Sequence, residues 1–244
     1  ISAQQLFGNI LKERAETGRI YIMNIDHCNT HSSFKDRVTM SNLCQEITLP
    51  TDPIQHIDGK GEIALCILSA INVGTLKDVD ELEVLCDLAV RALDEVIDHQ
   101  QYPVKAAEVS TKARRSLGVG YIGLAHYLAK NKVQYSDKKA WKLVDELTEA
   151  FQFYLLKASN TLAEEKGKCE YFDRTKYSDG ILPIDTYKKE VDELVKPKLN
   201  YDWEWIRKQI KKHGLRHSTL SAQMPSESSS VVSNATNGIE PPRD

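Results

Sequence analysis

The sequence predicts an α/β fold, and three observations predict it. Residues 4–17 set Leu6, Phe7, Ile10 and Leu11 at helical spacing, and the β-formers Ile20, Tyr21, Ile22 and Ile25 follow after a short break. Two longer stretches, 78–98 and 136–165, carry helical stripes of apolar residues. Runs of strand length and composition stand at 62–68 and 215–224.

Taken in order, the first helix stops at Gly18, and residues 19–25 read as a strand that leaves into a polar loop at 26–31. Pro50, Pro53 and Gly59-Lys60-Gly61 mark a second loop before the strand 62–68, which reads as mostly buried on both faces. Asp78 and Glu81 stand at capping-box spacing ahead of a stripe formed by Leu82, Leu85, Cys86, Ala89, Val90, Leu93, Val96 and Ile97. Residues 117–128 read as a helical run whose small residues allow close packing. In 136–165, Trp141, Val144, Leu147, Phe151, Tyr154, Leu155, Ala158 and Leu162 form one stripe, stopped by Gly167. Residues 168–200 are polar and Pro-containing, a surface excursion. Asp202 caps a short helix carrying Trp203, Ile206 and Ile210, ended by Gly214. The strand 215–224 then leads through a hydroxyl-rich turn to a helix from Ser230.

Composition narrows the class. With 41% hydrophobic and 27% charged residues, the 244-residue chain matches an ordinary soluble globular protein, as one α/β unit or two small domains. A net charge of −3 gives no electrostatic case for a nucleic-acid surface. Neither an apolar run of 18 residues nor a signal peptide stands in the sequence, so no membrane or export role is expected. Cys28, Cys44, Cys66, Cys86 and Cys169 are odd in number and irregularly spaced, which fits a reducing cytosol better than a disulfide framework. The sequon Asn234-Ala235-Thr236 is then incidental. The chain starts inside a helical pattern and stops two residues after Pro242, as expected of a fragment or of one half of a split subunit.

Four places carry residue types suited to chemistry. In Ser41-Asn42-Leu43-Cys44-Gln45-Glu46 an amide, a thiol and a carboxylate alternate, and in an extended segment all three point one way. The same pattern also suits a plain strand end with a buried Cys. Cys66 lies inside an apolar strand, where a free Cys behaves as a small hydrophobe. Gly118-Val119-Gly120-Tyr121-Ile122-Gly123 is formally a dinucleotide fingerprint, but the polar residues 108–115 precede it where a hydrophobic strand is required. Pro225-Ser226-Glu227-Ser228-Ser229-Ser230 could bind a phosphate at a helix start or serve as an ordinary Ser cap. His27, Cys28 and His31 lack a fourth ligand at a convincing spacing, so no metal is assigned. Arg114 and Arg115 could be structural or could serve a phosphate.

Several of these words stand together in one family. Asp26-His27-Cys28-Asn29-Thr30-His31, Ser41-Asn42-Leu43-Cys44-Gln45-Glu46 and Glu62-Ile63-Ala64-Leu65-Cys66 closely resemble the catalytic subunit of class Ia ribonucleotide reductases, of the enterobacterial and T4-like phage type. The likeness continues through Arg114-Arg115-Ser116-Leu117-Gly118 and Gly180-Ile181-Leu182-Pro183-Ile184-Asp185-Thr186-Tyr187. It ends with Met224-Pro225-Ser226-Glu227 and Asn237-Gly238-Ile239-Glu240-Pro241-Pro242-Arg243. It spans nearly the whole chain but only the middle-to-late portion of that longer subunit. Residues 1–244 are then part of the catalytic barrel domain, without the ATP cone or the C-terminal tail. The fold implied is a ten-stranded α/β barrel with the radical Cys on a shielded central finger loop.

The resemblance also implies roles. Cys44 becomes a thiyl radical that removes the 3′ hydrogen of a ribonucleoside diphosphate, and Glu46 is the general base for the 3′ hydroxyl. Asn42 holds the sugar hydroxyls and Leu43 lines the substrate. Cys66 is one thiol of the reducing pair, whose usual partner lies on an earlier strand. Pro225, Ser226, Glu227, Ser228 and Ser229 hold the diphosphate. The chain binds no cofactor itself. A small subunit with a diiron-tyrosyl radical, a thioredoxin- or glutaredoxin-type reductant and ATP/dNTP effectors on other large-subunit segments complete the cytoplasmic system. Alone, the chain is expected to be inactive. The competing readings are an assembly-only fragment of the same subunit, and a nicotinamide- or flavin-dependent oxidoreductase built on the glycine motif.

Overall fold

The computed structural model describes residues 1–56, 61–195 and 198–242; Gly59, Lys60 and Arg243 of the motifs above lie outside them. The helices are α1 (Ala3–Thr17), α2 (Ile25–His31), α3 (Leu82–His99), α4 (Lys105–Arg114), α5 (Leu124–Lys130), α6 (Lys138–Lys166), α7 (Pro183–Thr186), α8 (Asp192–Val195), α9 (Trp203–His213) and α10 (Glu227–Val232). Two strands, β1 (Ile67–Asn72) and β2 (Leu117–Ile122), pair in parallel with Ile67 opposite Leu117 and Asn72 opposite Ile122. A parallel pair requires a long crossover, and α3 and α4 supply it. The fold is α/β, with a sheet that does not close into a barrel among the described residues.

The core lies where α3 and α6 cover one face of this sheet. Leu82, Cys86, Val90 and Ile97 of α3 meet Leu147, Phe151, Leu155 and Leu162 of α6, all but fully buried, and Leu117, Val119 and Tyr121 of β2 join them. Each such aliphatic side chain contributes about 2 kcal/mol by leaving water. Cys86 is core, as its place on the stripe predicts, whereas Trp141 and Val96 fall off their stripes and are exposed. Of the α6 aromatics, Phe151, Phe153 and Tyr154 are core: Phe153 stacks on Tyr201 at 4.8 Å and meets Trp203 edge-on at 5.6 Å. Asp202 caps α9 through Trp205 N–H at 2.8 Å.

Charges buried on this helical side are paired. Asp94, fully buried, accepts from Arg115 Nε at 2.7 Å, Arg216 Nε at 3.2 Å and His217 Nε2 at 3.1 Å, while His217 Nδ1 meets Ser159 Oγ at 2.9 Å. Burial alone would raise the Asp94 carboxyl, but His217 and Arg115 hold it well below the usual carboxylate range. Burial lowers His217 to about 4 against the pull of Asp94. Arg114 is also buried; its guanidinium takes Glu62 at 2.7 and 3.0 Å and Asp36 at 2.9 Å. Both arginines are therefore saturated by carboxylates and are structural.

Several expectations are corrected. Residues 19–24 form no strand: no described segment pairs with them, and Ile20 O accepts from Arg14 instead. Residues 25–31 are helix α2 rather than a loop, closed by Asn29 Nδ2 on Ile25 O. The strand expected at 62–68 starts at Ile67, because Glu62 is drawn off to Arg114 and bridges only Asp52. Residues 117–122 are strand, not helix; every residue of β2 is buried, as a central parallel strand requires. Only α5 is helical in the expected 117–128 run. Asp78 and Glu81 do not close a capping box: Asp78 accepts from Asp80 N–H and Glu81 from Lys77 N–H. The 168–200 stretch is no plain surface excursion, since Phe172, Thr175, Tyr177 and Leu182 are buried. Residues 215–224 run along β2 through an isolated Val119–Ser221 bridge rather than as a full strand. The last helix starts at Glu227, three residues before Ser230. Among the described residues no helix is long and apolar enough to cross a membrane.

Candidate active site

The opposite face of β2 carries Gly118 and Gly120 and lacks side chains at both. A Cβ at Gly118 would stand 2.9 Å from Cys66 Sγ and 3.1 Å from Ala222 Cβ, and one at Gly120 would stand 2.8 Å from Met224 Sδ. Cys66, Ala222 and Met224 therefore line this face, and Pro225–Ser229 continue directly from its end. The glycine motif is used up by this packing. Gly118 and Gly120 lie within the strand, so the dinucleotide reading, which needs a strand before the first glycine, finds no support.

Residues 42–47 are a tight turn, which corrects the extended reading. Asn42 N–H donates to Ile47 O at 3.1 Å, Gln45 N–H to Asn42 O at 3.2 Å, and Ile47 N–H to Asn42 Oδ1 at 3.0 Å. Gln45 takes φ 65°, a left-handed conformation that ends any extended run. Asn42 thus closes the turn with its own side-chain oxygen, leaving its NH2 group unspent by the turn. Leu43 and Cys44 stand exposed at the tip. The shielding expected of Cys44 is absent here, because two strands enclose no barrel.

Glu46 leads back from the tip, and its Oε2 is buried with no hydrogen-bond partner. A buried carboxylate oxygen left so is costly unless a ligand answers it. Burial pushes the Cys66 thiol up to about 12, and the nearby Glu46 carboxylate adds to the rise. A thiol held protonated in this way is a slow nucleophile that keeps its S–H hydrogen. The structure brings Glu46 and Cys66 together, with Cys44 two residues away on the turn. Cys86 and Cys169 are buried on the helical side, and all five cysteines are free thiols.

At the far end of the face, Ser226 is buried at the start of α10. Its N–H and hydroxyl both donate to Asn237 Oδ1, at 3.1 and 3.0 Å, and Ser229 Oγ donates to Ser226 O at 3.2 Å. Glu227, Ser228 and Ser229 are exposed. Sequence reasoning missed Asn237, which lies eleven residues from the serine it fixes, and Gly118, whose role depends on what packs against it. His31, once weighed as a metal ligand, is engaged with Thr186 O. Among the described residues no three metal-ligating side chains cluster.

Known proteins match this arrangement along its whole length. The family model described as "Ribonucleotide reductase, barrel domain" matches residues 1–244. The chain is 60% identical to the ribonucleoside-diphosphate reductase subunit alpha of Haemophilus influenzae, covering all of this chain and 33% of that protein. It is 57% identical to ribonucleoside-diphosphate reductase 1 subunit alpha of Escherichia coli and 46% to the subunit alpha of Enterobacteria phage T4. Each match covers all of this chain and 32% of the relative. The chain thus spans about a third of the length of the curated relatives it matches. A sheet with Cys66 on its glycine face, a turn carrying Cys44 and Glu46, and a match over all 244 residues lead to one assignment: the chain belongs to the ribonucleotide reductase barrel-domain family.

Proposed function

We propose that this chain is the site-bearing part of a ribonucleoside-diphosphate reductase large subunit, making deoxyribonucleoside diphosphates for DNA synthesis. The buried, unpartnered Glu46 Oε2 beside Cys66 carries the reading. Cys44, as a thiyl, removes the 3′ hydrogen, and Glu46 accepts the 3′ hydroxyl proton within hydrogen-bond reach. Asn42 contributes its NH2 group to the sugar hydroxyls, and Leu43 lines the substrate at the tip. The 2′ hydroxyl leaves as water; Cys66 and a second thiol supply two electrons and two protons and become a disulfide. The N–H groups of Glu227, Ser228 and Ser229, in a first helical turn without intrahelical acceptors, hold the diphosphate while Pro225 and Ser226 shape the loop.

The second thiol comes from another large-subunit segment: by the resemblance it lies on an earlier strand, none of Cys28, Cys86 and Cys169 matches its position, and Cys86 and Cys169 are locked in the helical core. The same segments shield Cys44 and complete the ten-stranded barrel. The chain alone is inactive. A small subunit with a diiron-tyrosyl centre generates the radical, a thioredoxin- or glutaredoxin-type protein re-reduces the disulfide, and ATP and dNTP effectors bind other segments, all in the cytoplasm. An assembly-only role is not favoured, since Asn42, Cys44, Glu46 and Cys66 are all in place.

The test is reduction of radiolabelled CDP by the complete large subunit containing this chain, with small subunit and reductant, beside Cys44→Ser. Turnover that Cys44→Ser abolishes is the expected result. Turnover that survives the substitution would sink the mechanism.

A further inference from the structure

We propose that Gly118 is a positioning residue for the Cys66 thiol, its missing side chain leaving the space into which Cys66 Sγ packs against β2. The inference rests on the reading of Cys66 as half of the reducing pair. A Cβ at 118 would lie 2.9 Å from Cys66 Sγ and 2.5 Å from Leu68 Cδ2, closer than real Cβ contacts come. Gly118 is not among the residues of positive φ, so the backbone does not demand a glycine there. Glycine inside a strand is otherwise a cost, because it loses more chain entropy and packs no side chain. Space for the Cys66 thiol and the Leu68 side chain beside it is what remains to explain it.

The neighbours of the two glycines separate their roles. Around Gly118 the two closest atoms, Leu68 Cδ2 and Cys66 Sγ, are side-chain ends, which can rotate away, and only Ala222 Cβ at 3.1 Å is fixed; at Gly120 the closest is the backbone oxygen Ala222 O, 2.5 Å from a Cβ, which cannot move alone. Gly118→Ala is therefore accommodated by turning Leu68 and Cys66 to other rotamers, which for Cys66 displaces Sγ by roughly 3 Å. A disulfide needs its two sulfurs at about 2.0 Å with Cβ atoms about 4 Å apart, so a shift of that size takes the thiol out of reach of its partner. Gly120→Ala forces the backbone of residues 220–224 instead and acts on folding.

The experiment uses the complete large subunit with its small subunit. Gly118→Ala is expected to lower kcat for CDP by roughly a hundredfold, as ångström-scale misplacement does, with KM unchanged. In the same molecule the iodoacetamide alkylation rate of Cys66, read by peptide mass spectrometry, changes while that of Cys44 does not. Parent rates at Cys66 and a parent kcat in the folded variant would overturn the proposal. Should Gly118→Ala lower stability, a double-mutant cycle on Tm decides the same point. If Cys66→Ala relieves the loss, the thiol is what the glycine accommodates; if the two effects add independently, it is not. A parent enzyme that fails to reduce CDP would defeat the function proposed above, while the alkylation and Tm arms would still judge Gly118.

Discussion

The two sides of the β1–β2 sheet treat charge in opposite ways. On the helical side the buried Asp94 is surrounded by Arg115, Arg216 and His217, and no oxygen of it is left unanswered. On the glycine side Glu46 Oε2 is buried and unanswered, and Cys66 is left protonated beside it. A stable fold tolerates an unpaired buried oxygen only where something else offsets its cost. The contrast teaches that stability and chemistry are kept apart by one thin sheet, so substitutions on the two sides should fail in different assays.

The largest effect should come from Asp94→Asn. Removing that charge leaves Arg115 and Arg216 with the exposed Asp98 alone as counter-charge, and a loss of about 3 kcal/mol in denaturant-measured stability is expected. A loss below about 1 kcal/mol would erase the contrast. Next is pH. His217 stays neutral in the folded protein down to about 4, whereas an unfolded His binds a proton near 6.5. The unfolded chain therefore holds the extra proton between those values, and stability falls as pH drops through that window, by roughly 3 kcal/mol in all. Below it the unfolded Asp94 carboxyl takes up a proton that the folded one, its pKa depressed, still refuses, so the stability Asp94 contributes is lost in turn as pH falls. Urea titrations at pH 7, 5.5 and 4 should show the slope, and His217→Gln should flatten it.

The glycine side sharpens the comparison with smaller numbers. Ser226→Ala loses the hydroxyl bonded to Asn237 and should cost about 1 kcal/mol while raising KM for CDP. Cys44→Ser, at an exposed tip, should leave denaturant-measured stability within about 0.5 kcal/mol of the parent while abolishing turnover. Damage to stability from either of these as large as that from Asp94→Asn would mean that the faces are not specialised.

What the sequence disclosed follows from how local each cause is. Helices α1, α3, α6 and α9 were legible because their stripes and stop residues lie within a few turns of chain, and α1 keeps its Gly18 stop; its Ser2 cap went unread. Strand β2 was not, since Gly118 and Gly120 interrupt its apolar pattern and its partners lie far away at 67–72 and at Ser221. The isoleucines of 19–25 suggested a strand that no neighbour supports. The turn at 42–47 was hidden because it rests on Gln45 in a left-handed conformation and on Asn42 bonding five residues ahead. Cys44, Glu46, Cys66 and the Ser226 loop came from resemblance. Local spacing offered only even or bland alternatives, and the geometry that joins Glu46 to Cys66 is tertiary. The saturation of Arg114 by Glu62, 52 positions away, was likewise beyond any local pattern.

The knot around Asp94 also bears on time. His217 and Asp94 are 123 positions apart, and His217 reaches Ser159 across another 58. Contacts so distant in sequence close large loops and form late, after α3 and α6 have met. Interactions missing from the folding transition state act on the unfolding rate. The knot should therefore work as a latch: breaking it speeds escape from the native state and leaves the rate of arrival nearly unchanged.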